Sequence, residues 1–248
     1  VSFTYDIAMP WRVLSITASD GRAVVFSYHV DAPSLVSTVS DGTRRWTYAY
    51  AGKRLTRVTR PDSSTWQFEL GPLAFSPSYH PEWLPNCDQP GRVHLAPATG
   101  YLIHPSGARA EFATQAVVHG RSKVPKRCYS PTMELSDMQS IYPRYFAERT
   151  MVSKTIHGAG LDAPLRWDFS YPVDPTGYAS WSSCTTCTET KTIEVRDPRG
   201  ARSRLTYGTA FGINDGLLLK TEEGWNGTSA VRSTVRRYRA PDSGPSPV

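Results

Sequence analysis

Short segments in which aromatic or β-branched residues alternate with polar ones recur along the chain, and Gly, Pro, Asp or Asn bounds each of them. A period of two places successive side chains on opposite faces of a strand, which is typical of antiparallel sheet with one face covered. The sequence therefore predicts an all-β fold of antiparallel β-hairpins, with an irregular loop-rich insertion and at most one short helix. The segments are Val25–Tyr28, Trp46–Tyr50, Trp66–Leu70, Trp167–Tyr171 and Leu205–Tyr207.

One stretch has helical spacing instead. Ser130 is a candidate N-cap, Pro131 suits the first turn, and Leu135, Met138 and Tyr142 fall on one helical face. The pattern predicts a short helix that stops at Pro143.

A turn signal repeats at equal intervals of 21 residues, as Asp20-Gly21, Asp41-Gly42 and Asp62-Ser63. An aromatic pair follows each of them within a few residues. Asp-Gly favours the positive φ angles of a tight two-residue turn, and the aromatic residues after it can pack on the neighbouring hairpin. The repeat predicts a stack of hairpins, none of which buries its own face. A further unit returns near the C-terminus, where the turn residues are Asp197, Pro198 and Gly200.

Repeats and composition divide the chain into four stretches: hairpin repeats over 1–70, an insertion or cap over 71–174, returning hairpins over 175–240 and a linker tail over 241–248. The insertion holds most of the prolines, and within it 103–112 reads as strand, Gly-centred turn and strand. It also contains five of the six histidines, without the spacing of a metal site, and we expect these to be ordinary loop or sheet residues: His80, His94, His104, His119 and His157.

Composition bounds the class of protein. A chain of 248 residues with 39% apolar residues suits one domain or two lobes, and 28 basic against 22 acidic residues leave a net charge of +6. The longest apolar run, Ala23–Phe26, is far too short to span a membrane. Val1 is not followed by a basic-then-apolar leader, which indicates a removed signal or, as we favour, a segment of a longer protein.

Four cysteines, Cys87, Cys128, Cys184 and Cys187, permit three disulfide pairings. Cys184-Thr-Thr-Cys187 would serve as half of a zinc site, but the chain lacks a second such pair. The simplest alternative is two disulfides, Cys87 to Cys128 and Cys184 to Cys187, and buried thiols are a third interpretation.

At the third repeat the residues resemble a known family. Gly52-Lys-Arg-Leu55-Thr-Arg-Val58-Thr-Arg-Pro61-Asp62, followed by Trp66-Gln67-Phe68, is similar to the RHS/YD repeat, and Asp197-Pro198-Arg199-Gly200 with Tyr207-Gly208 fits the same pattern. Ser63 stands where that repeat has Gly, and its signature Tyr-Asp occurs only as Tyr5-Asp6. The repeats are therefore degenerate copies that cover about half of the chain.

The resemblance implies a secreted or surface bacterial protein in which hairpin repeats coil into a shell around a C-terminal effector, as in polymorphic toxins; the related teneurins use a similar shell in adhesion. Such a segment would be a scaffold without turnover or cofactor, and its partners would be other repeats of the same parent chain and the enclosed effector. RHS shells often cleave themselves at paired Asp-Pro-x-Gly motifs. Asp174 and Asp197 begin two such motifs here, although turns of a hairpin array have the same composition.

Two further function classes remain open. Seven Trp and thirteen Tyr make a glycan- or host-surface-binding module the main alternative, with solvent-exposed rings as its platform. A hydrolase is the second, with Ser106 or an acid pair as candidates, but Ser106 lies in a turn signal, and Glu82/Asp88 and Glu222/Glu223 are by default solvated surface charges.

Charge and nucleotide motifs add two expectations. The basic run near the C-terminus reads as the polar face of a strand rather than as a nucleic-acid site, and phosphate-binding loops are absent. Unpaired edge strands of an open hairpin stack would promote dimers or poor solubility unless the insertion covers them. The basic run comprises Arg232, Arg236, Arg237 and Arg239, with Tyr238 among them.

Overall fold

The computed structural model describes residues 1–74, 88–94, 96–129, 139–140 and 142–238, and at 128–129 and 139–140 it describes the backbone alone. Alternating apolar and polar residues build these parts into β-strands. The strands are β1 (Ser2–Tyr5), β2 (Val13–Thr17), β3 (Ala23–Tyr28), β4 (Val36–Ser40), β5 (Arg45–Ala51), β6 (Arg54–Thr59), β7 (Thr65–Glu69), β8 (Ala98–Ile103), β9 (Arg109–Gly120), β10 (Cys128–Tyr129), β11 (Gln139–Ser140), β12 (Tyr145–His157), β13 (Leu165–Ser170), β14 (Thr190–Arg196), β15 (Arg202–Gly208), β16 (Leu218–Glu223) and β17 (Arg232–Val235).

Fifteen strands form one open antiparallel sheet. Its hydrogen-bonded order is β1 to β9 and then β12 to β17, while β10 and β11 pair separately. Helical structure in the described residues is limited to two short 3-10 turns, at Gly71–Ala74 and Pro175–Gly177. The predicted all-β fold of antiparallel hairpins is confirmed, and the strand, turn and strand expected over 103–112 are the end of β8, a turn and the start of β9.

The three repeated turn signals occupy equivalent places. They join β2 to β3, β4 to β5 and β6 to β7, so successive copies lie at the same ends of alternate hairpins. Each aspartate accepts hydrogen bonds from main-chain amides of its own turn. Each also pairs with an arginine, and at Asp41 bonds from Arg44 lower the carboxyl pKa to about 2. Aspartate is therefore selected here by local turn chemistry.

The predicted two-residue turn is right for Asp41 and wrong for the other two copies. The Asp41 N–H donates to Arg44 O at 3.2 Å, which leaves two residues in the loop. At Asp20, Ala18 N–H donates to Arg22 O at 2.8 Å and Gly21 N–H donates to Ala18 O at 3.0 Å. Three loop residues of this kind form a type I turn followed by a bulge residue at positive φ. Gly21 and Ser63 are these residues, at φ 85° and 66°.

The expected helix near Pro143 is partly outside the described residues, since 130–138 belong to the undescribed stretch. The prediction is wrong for the end of this helix, because Gln139–Ser140 forms strand β11 and pairs with Cys128–Tyr129. At Gln139–Ser140 strand pairing overrides the weak local helical pattern.

Contacts divide the chain into two units. Unit 1 comprises Val1–Ala74, Thr99–Glu111 and Ile156–Pro164, and unit 2 comprises the described residues of 75–98, 112–155 and 165–248. Among the described residues, every fully buried apolar side chain belongs to unit 2, and unit 1 has none. The strands of unit 1 are thus a single layer of hairpins. The core of unit 2 consists of Val93, Ala116, Val124, Tyr145, Tyr178, Ala179, Ile193, Ala210 and Trp225.

Candidate functional site

Tyrosines at or near the ends of several strands, β3, β5 and β17 among them, tie each of these strands to the one before it. The Tyr28 hydroxyl donates to Val13 O at 2.8 Å, and the Tyr50 hydroxyl donates to Val36 O at 3.0 Å. In unit 2, Tyr238 donates to Leu218 O at 3.0 Å in the same way. The ladder also shifts register at the tyrosines of β3 and β5, so a bulge accompanies both anchors.

These three hydrogen bonds have one geometry. In each pair of strands the acceptor residue lies opposite the residue that precedes the tyrosine. This follows when the observed pairings are continued along the strands: Val25↔Ser15, Thr38↔Thr47 and Lys220↔Val235. In these three strand pairs a tyrosine thus marks where the strand ends against its neighbour. The positions of these tyrosines are visible in the sequence, but the Asp-Gly turn pattern alone does not predict their hydrogen bonds.

Strand β1 presents the same tyrosine without a neighbour. Tyr5 follows a register shift at Thr4/Tyr5, as Tyr28 and Tyr50 follow theirs, but among the described residues its hydroxyl has no hydrogen-bond partner. Its ring is stacked on Phe3 with centroids 6.4 Å apart, and both side chains are about half exposed. This edge combines exposed aromatic surface with backbone that no strand of the described residues pairs, the features of a strand-docking site.

The strand interpretation of the basic run is right for Arg232, which lies in β17, whereas Arg236 and Arg237 follow the end of this strand. Arg232 to Val235 pair with β16, and Arg236 donates to Thr221 Oγ1 at 2.9 Å. Arg232 stays largely exposed, 3.7 Å from Glu223. Arg239 lies outside the described residues.

The two candidate self-cleavage aspartates are not brought together. Ser170 pairs with Glu194 and Asp168 pairs with Arg196, so Asp174 follows one end of the β13–β14 ladder and Asp197 follows the other. Asp174 caps its own 3-10 turn by accepting from the Thr176 amide and hydroxyl, which lowers its pKa. Asp197 accepts from the amides of Arg199 and Ala201. Both carboxylates act as turn formers.

A polar pair of one buried and one half-buried residue lies in unit 2. Lys191 Nζ is 3.4 Å from His119 Nδ1, and the His119 ring contacts Phe146 and Tyr171. Burial, with a smaller contribution from the Lys191 charge, lowers the pKa of His119 to about 4, and burial also lowers the pKa of Lys191. His119 is therefore neutral at pH 7 and accepts from the ammonium group. Sequence reasoning treated His119 as an ordinary sheet histidine because its partner is 72 residues away.

The predicted Cys184–Cys187 disulfide is present, which uses the half-site that zinc would need. Lys123 Nζ donates to Cys184 O at 2.5 Å, and Val124 forms a parallel bridge with Trp181 beside it. Cys87 and the side chain of Cys128 lie outside the described residues. In the described part of the chain, His, Cys, Asp and Glu are not grouped in threes that suit a metal ion.

The other hydrolase candidates are dispersed. Ser106 belongs to the β8–β9 turn, where its hydroxyl is 2.7 Å from His104 Nδ1 and both residues are exposed. Glu82 and His80 lie outside the described residues, and Asp88 pairs with Lys126 at 3.0 Å. The surface interpretation of Glu222 is wrong: its side chain is buried and accepts from Arg204 and Lys220, at 2.8 and 2.7 Å.

Several tryptophans are covered by basic side chains. Arg44 lies over Trp46, Lys154 over Trp167 and Arg204 over Trp225, within 5.5 Å of each ring. Among the described tryptophans only Trp11 is largely exposed, at 60%. A broad aromatic platform for sugars is not assembled in the described residues.

Unit 2 also contains an open, mainly apolar cleft of about 730 Å³. Ala116, Val118, Val152 and Phe169 contribute to it from strands, and Val93 and Val173 are among the other apolar residues that line it. Its size suits a small ligand, and its lining also includes the polar residues Arg92, Gln115 and Asp174.

Comparisons with protein-family models and with curated protein sequences find no relative of this chain. Among the described residues, no helix combines the length and apolar character needed to span a membrane.

Proposed function

We propose that this chain is a non-enzymatic structural segment of a secreted or surface bacterial protein of the RHS/YD-repeat type. Its hairpins form part of a β-shell or scaffold that encloses or presents a C-terminal effector. Its partners are further repeats of the same polypeptide.

One observation carries this proposal: unit 1 repeats a hairpin regularly and has no fully buried apolar side chain among its described residues. A layer of this kind leaves apolar side chains half-exposed on its faces, including Val25 and Phe3. A hairpin that cannot bury its own face gains stability when neighbouring repeats continue the sheet. A shell wall is such an arrangement, whereas an enzyme needs convergent side chains, which the aspartate and serine candidates do not supply.

The test is hydrogen exchange and limited proteolysis on the full polypeptide that carries these residues, compared with the isolated 248-residue chain. In the full polypeptide we expect slow exchange of the outward amides of β1 and β17 and a protease-resistant core that extends beyond both. In the isolated chain the same amides should exchange quickly. Early release of a folded piece close to residues 1–248 would contradict the shell, and binding assays on a glycan array would then follow.

A further inference from the structure

We infer that the outer edge of β1 is a docking site for one antiparallel strand of the hairpin type found in this chain, with the Tyr5 hydroxyl as its register pin. The occupant is another hairpin of the same polypeptide, and in this choice the inference rests on the proposed function.

The first step is the equivalence of Tyr5 with the anchors at Tyr28 and Tyr50. Each tyrosine is the last or the last but one residue of its strand, and each stands at a register shift relative to the following strand. Tyr28 and Tyr50 then donate backwards, to a carbonyl at the start of the preceding antiparallel strand. At Tyr5 the register shift is present, but the described residues contain no preceding strand whose carbonyl could accept from its hydroxyl.

The second step is geometric. The acceptor lies opposite the residue before the tyrosine in both anchored hairpins. An antiparallel strand beside β1 would therefore offer Tyr5 the carbonyl of the residue opposite Thr4. A shift of the incoming strand by one residue would turn its covered face outward, and the hydroxyl bond would be lost.

The third step concerns the surface that such a strand would cover. Phe3 and Tyr5 are stacked on the same face of β1, with 53% and 49% of each residue exposed. A neighbouring strand covers the corresponding aromatic residue of β5, Tyr50, which is only partly exposed. Covering the Phe3 and Tyr5 rings would add apolar burial to the main-chain ladder.

The chain itself supplies the probe. Residues 35–45 comprise β4, its Asp41 turn and the first residue of β5. When a copy of Leu35–Arg45 is fused directly before Val1, Tyr5 follows the copied arginine at the same distance as Tyr50 follows Arg45. The copied Val36 carbonyl then lies within reach of the Tyr5 hydroxyl. The Asp41–Arg44 hydrogen bond and the alternation of antiparallel pairs place the N–H of Val39 toward the following strand. A second extension with Pro in place of the copied Val39 therefore loses a ladder hydrogen bond to β1 and is the matched control.

Hydrogen exchange of the β1 amides reports the result. We expect protection at least ten-fold greater in the extended chain than in the Pro control. Tyr5→Phe should leave exchange in the unextended chain unchanged and should raise β1 opening about five-fold in the extended chain. Tyr28→Phe gives the reference effect of an occupied anchor on β3.

Equal exchange in the two extended chains would overturn the docking site, and an equal effect of Tyr5→Phe with and without the extension would overturn the pin. Sedimentation of the unextended chain tests another occupant: a dimer that the extension abolishes would identify a second copy and overturn our choice. A failure of the proposed shell function gives a different result. The fused strand would still protect the β1 amides from exchange, whereas in the full polypeptide these amides would exchange quickly.

Discussion

Lys191 Nζ lies 3.4 Å from Nδ1 of His119 and thereby joins β14 to β9 inside unit 2. Burial makes this pair sensitive to acid, because a protonated His119 would face the Lys191 ammonium with little water to screen the two charges. Phe146 and Tyr171 contact the imidazole, and an ion pair between Arg121 and Asp215 supplies other charge in this unit.

We predict that this histidine makes the protein less stable in acid. The pKa of His119 falls from 6.5 to about 4 on folding, so the unfolded chain takes up the proton first as pH falls. Stability is thus full above about pH 6.5, declines as pH falls to about 4, and has then lost roughly 3 kcal/mol. Urea unfolding at a series of pH values measures the effect.

His119→Gln is the matched variant, since its amide oxygen still accepts from Lys191. We expect the variant to lose the part of the acid dependence between pH 6.5 and 4 that His119 causes and to retain the part that carboxylates cause. An unchanged slope in this range, or an imidazole NMR signal of His119 that titrates near 6.5, would contradict the prediction.

The repeats show how far the sequence leads. Asp20, Asp41 and Asp62 predict the positions of three hairpin turns, because turn preferences depend on only a few neighbouring residues. Loop length differs among the three turns because it depends on how the flanking strands pair. The His119–Lys191 contact and the burial of Glu222 depend on strands far apart in sequence, which no spacing rule reports.

A second prediction concerns backbone strain in the repeated turns. Ser63 has a φ of 66°, in the region that favours glycine, and Gly107 holds the equivalent place in the β8–β9 turn at 84°. We expect Ser63→Gly to stabilise the chain by about 0.5 kcal/mol and Gly107→Ala to destabilise it by about 1 kcal/mol. A Cβ at Gly107 would meet no atom within 4 Å, so the effect would come from φ alone. Thermal unfolding that moves both variants in the same direction would contradict this account.

The disulfide gives a third prediction. Cys184 and Cys187 are three residues apart, so their bond closes a very short loop and restricts the unfolded chain only slightly. We expect the double substitution Cys184→Ser with Cys187→Ser to cost about 2 kcal/mol in urea unfolding. The effect should centre on the loop that Lys123 holds through Cys184 O. A loss of all folded structure, seen by circular dichroism, would show that the bond has a larger role.

Glu222 and its sequence neighbour Glu223 give a matched pair for the fourth prediction. Glu222 accepts from both Arg204 and Lys220 and is buried, whereas Glu223 lies 3.7 Å from Arg232 and is exposed. Glu222→Gln removes the charge that both cations face, and we expect it to lower Tm by several degrees. Glu223→Gln should leave Tm nearly unchanged.

The same pair predicts a response to acid. Bonds from Arg204 and Lys220 hold the pKa of Glu222 at about 2, below its ordinary value of 4.5. The stabilisation is therefore present above about pH 4.5 and is lost as pH falls toward 2. The Tm difference between Glu222→Gln and the parent should shrink over this range, and a constant difference would contradict the ion-pair explanation.

The last prediction tests the packing of the loop between β15 and β16. Asn214 Oδ1 accepts from the Ala210 amide at 2.9 Å, and a Cβ at Gly208 would lie 2.4 Å from the Asn214 side chain and its carbonyl oxygen. Because backbone as well as side chain must move, we expect Gly208→Ala to cost 1 to 3 kcal/mol, about the cost of overpacking a core. Gly177→Ala, where a Cβ would meet no atom within 4 Å, is the control and should change the free energy of unfolding by less than about 0.5 kcal/mol. Equal costs for the two variants, measured by urea unfolding, would show that this loop does not depend on the close approach at Gly208.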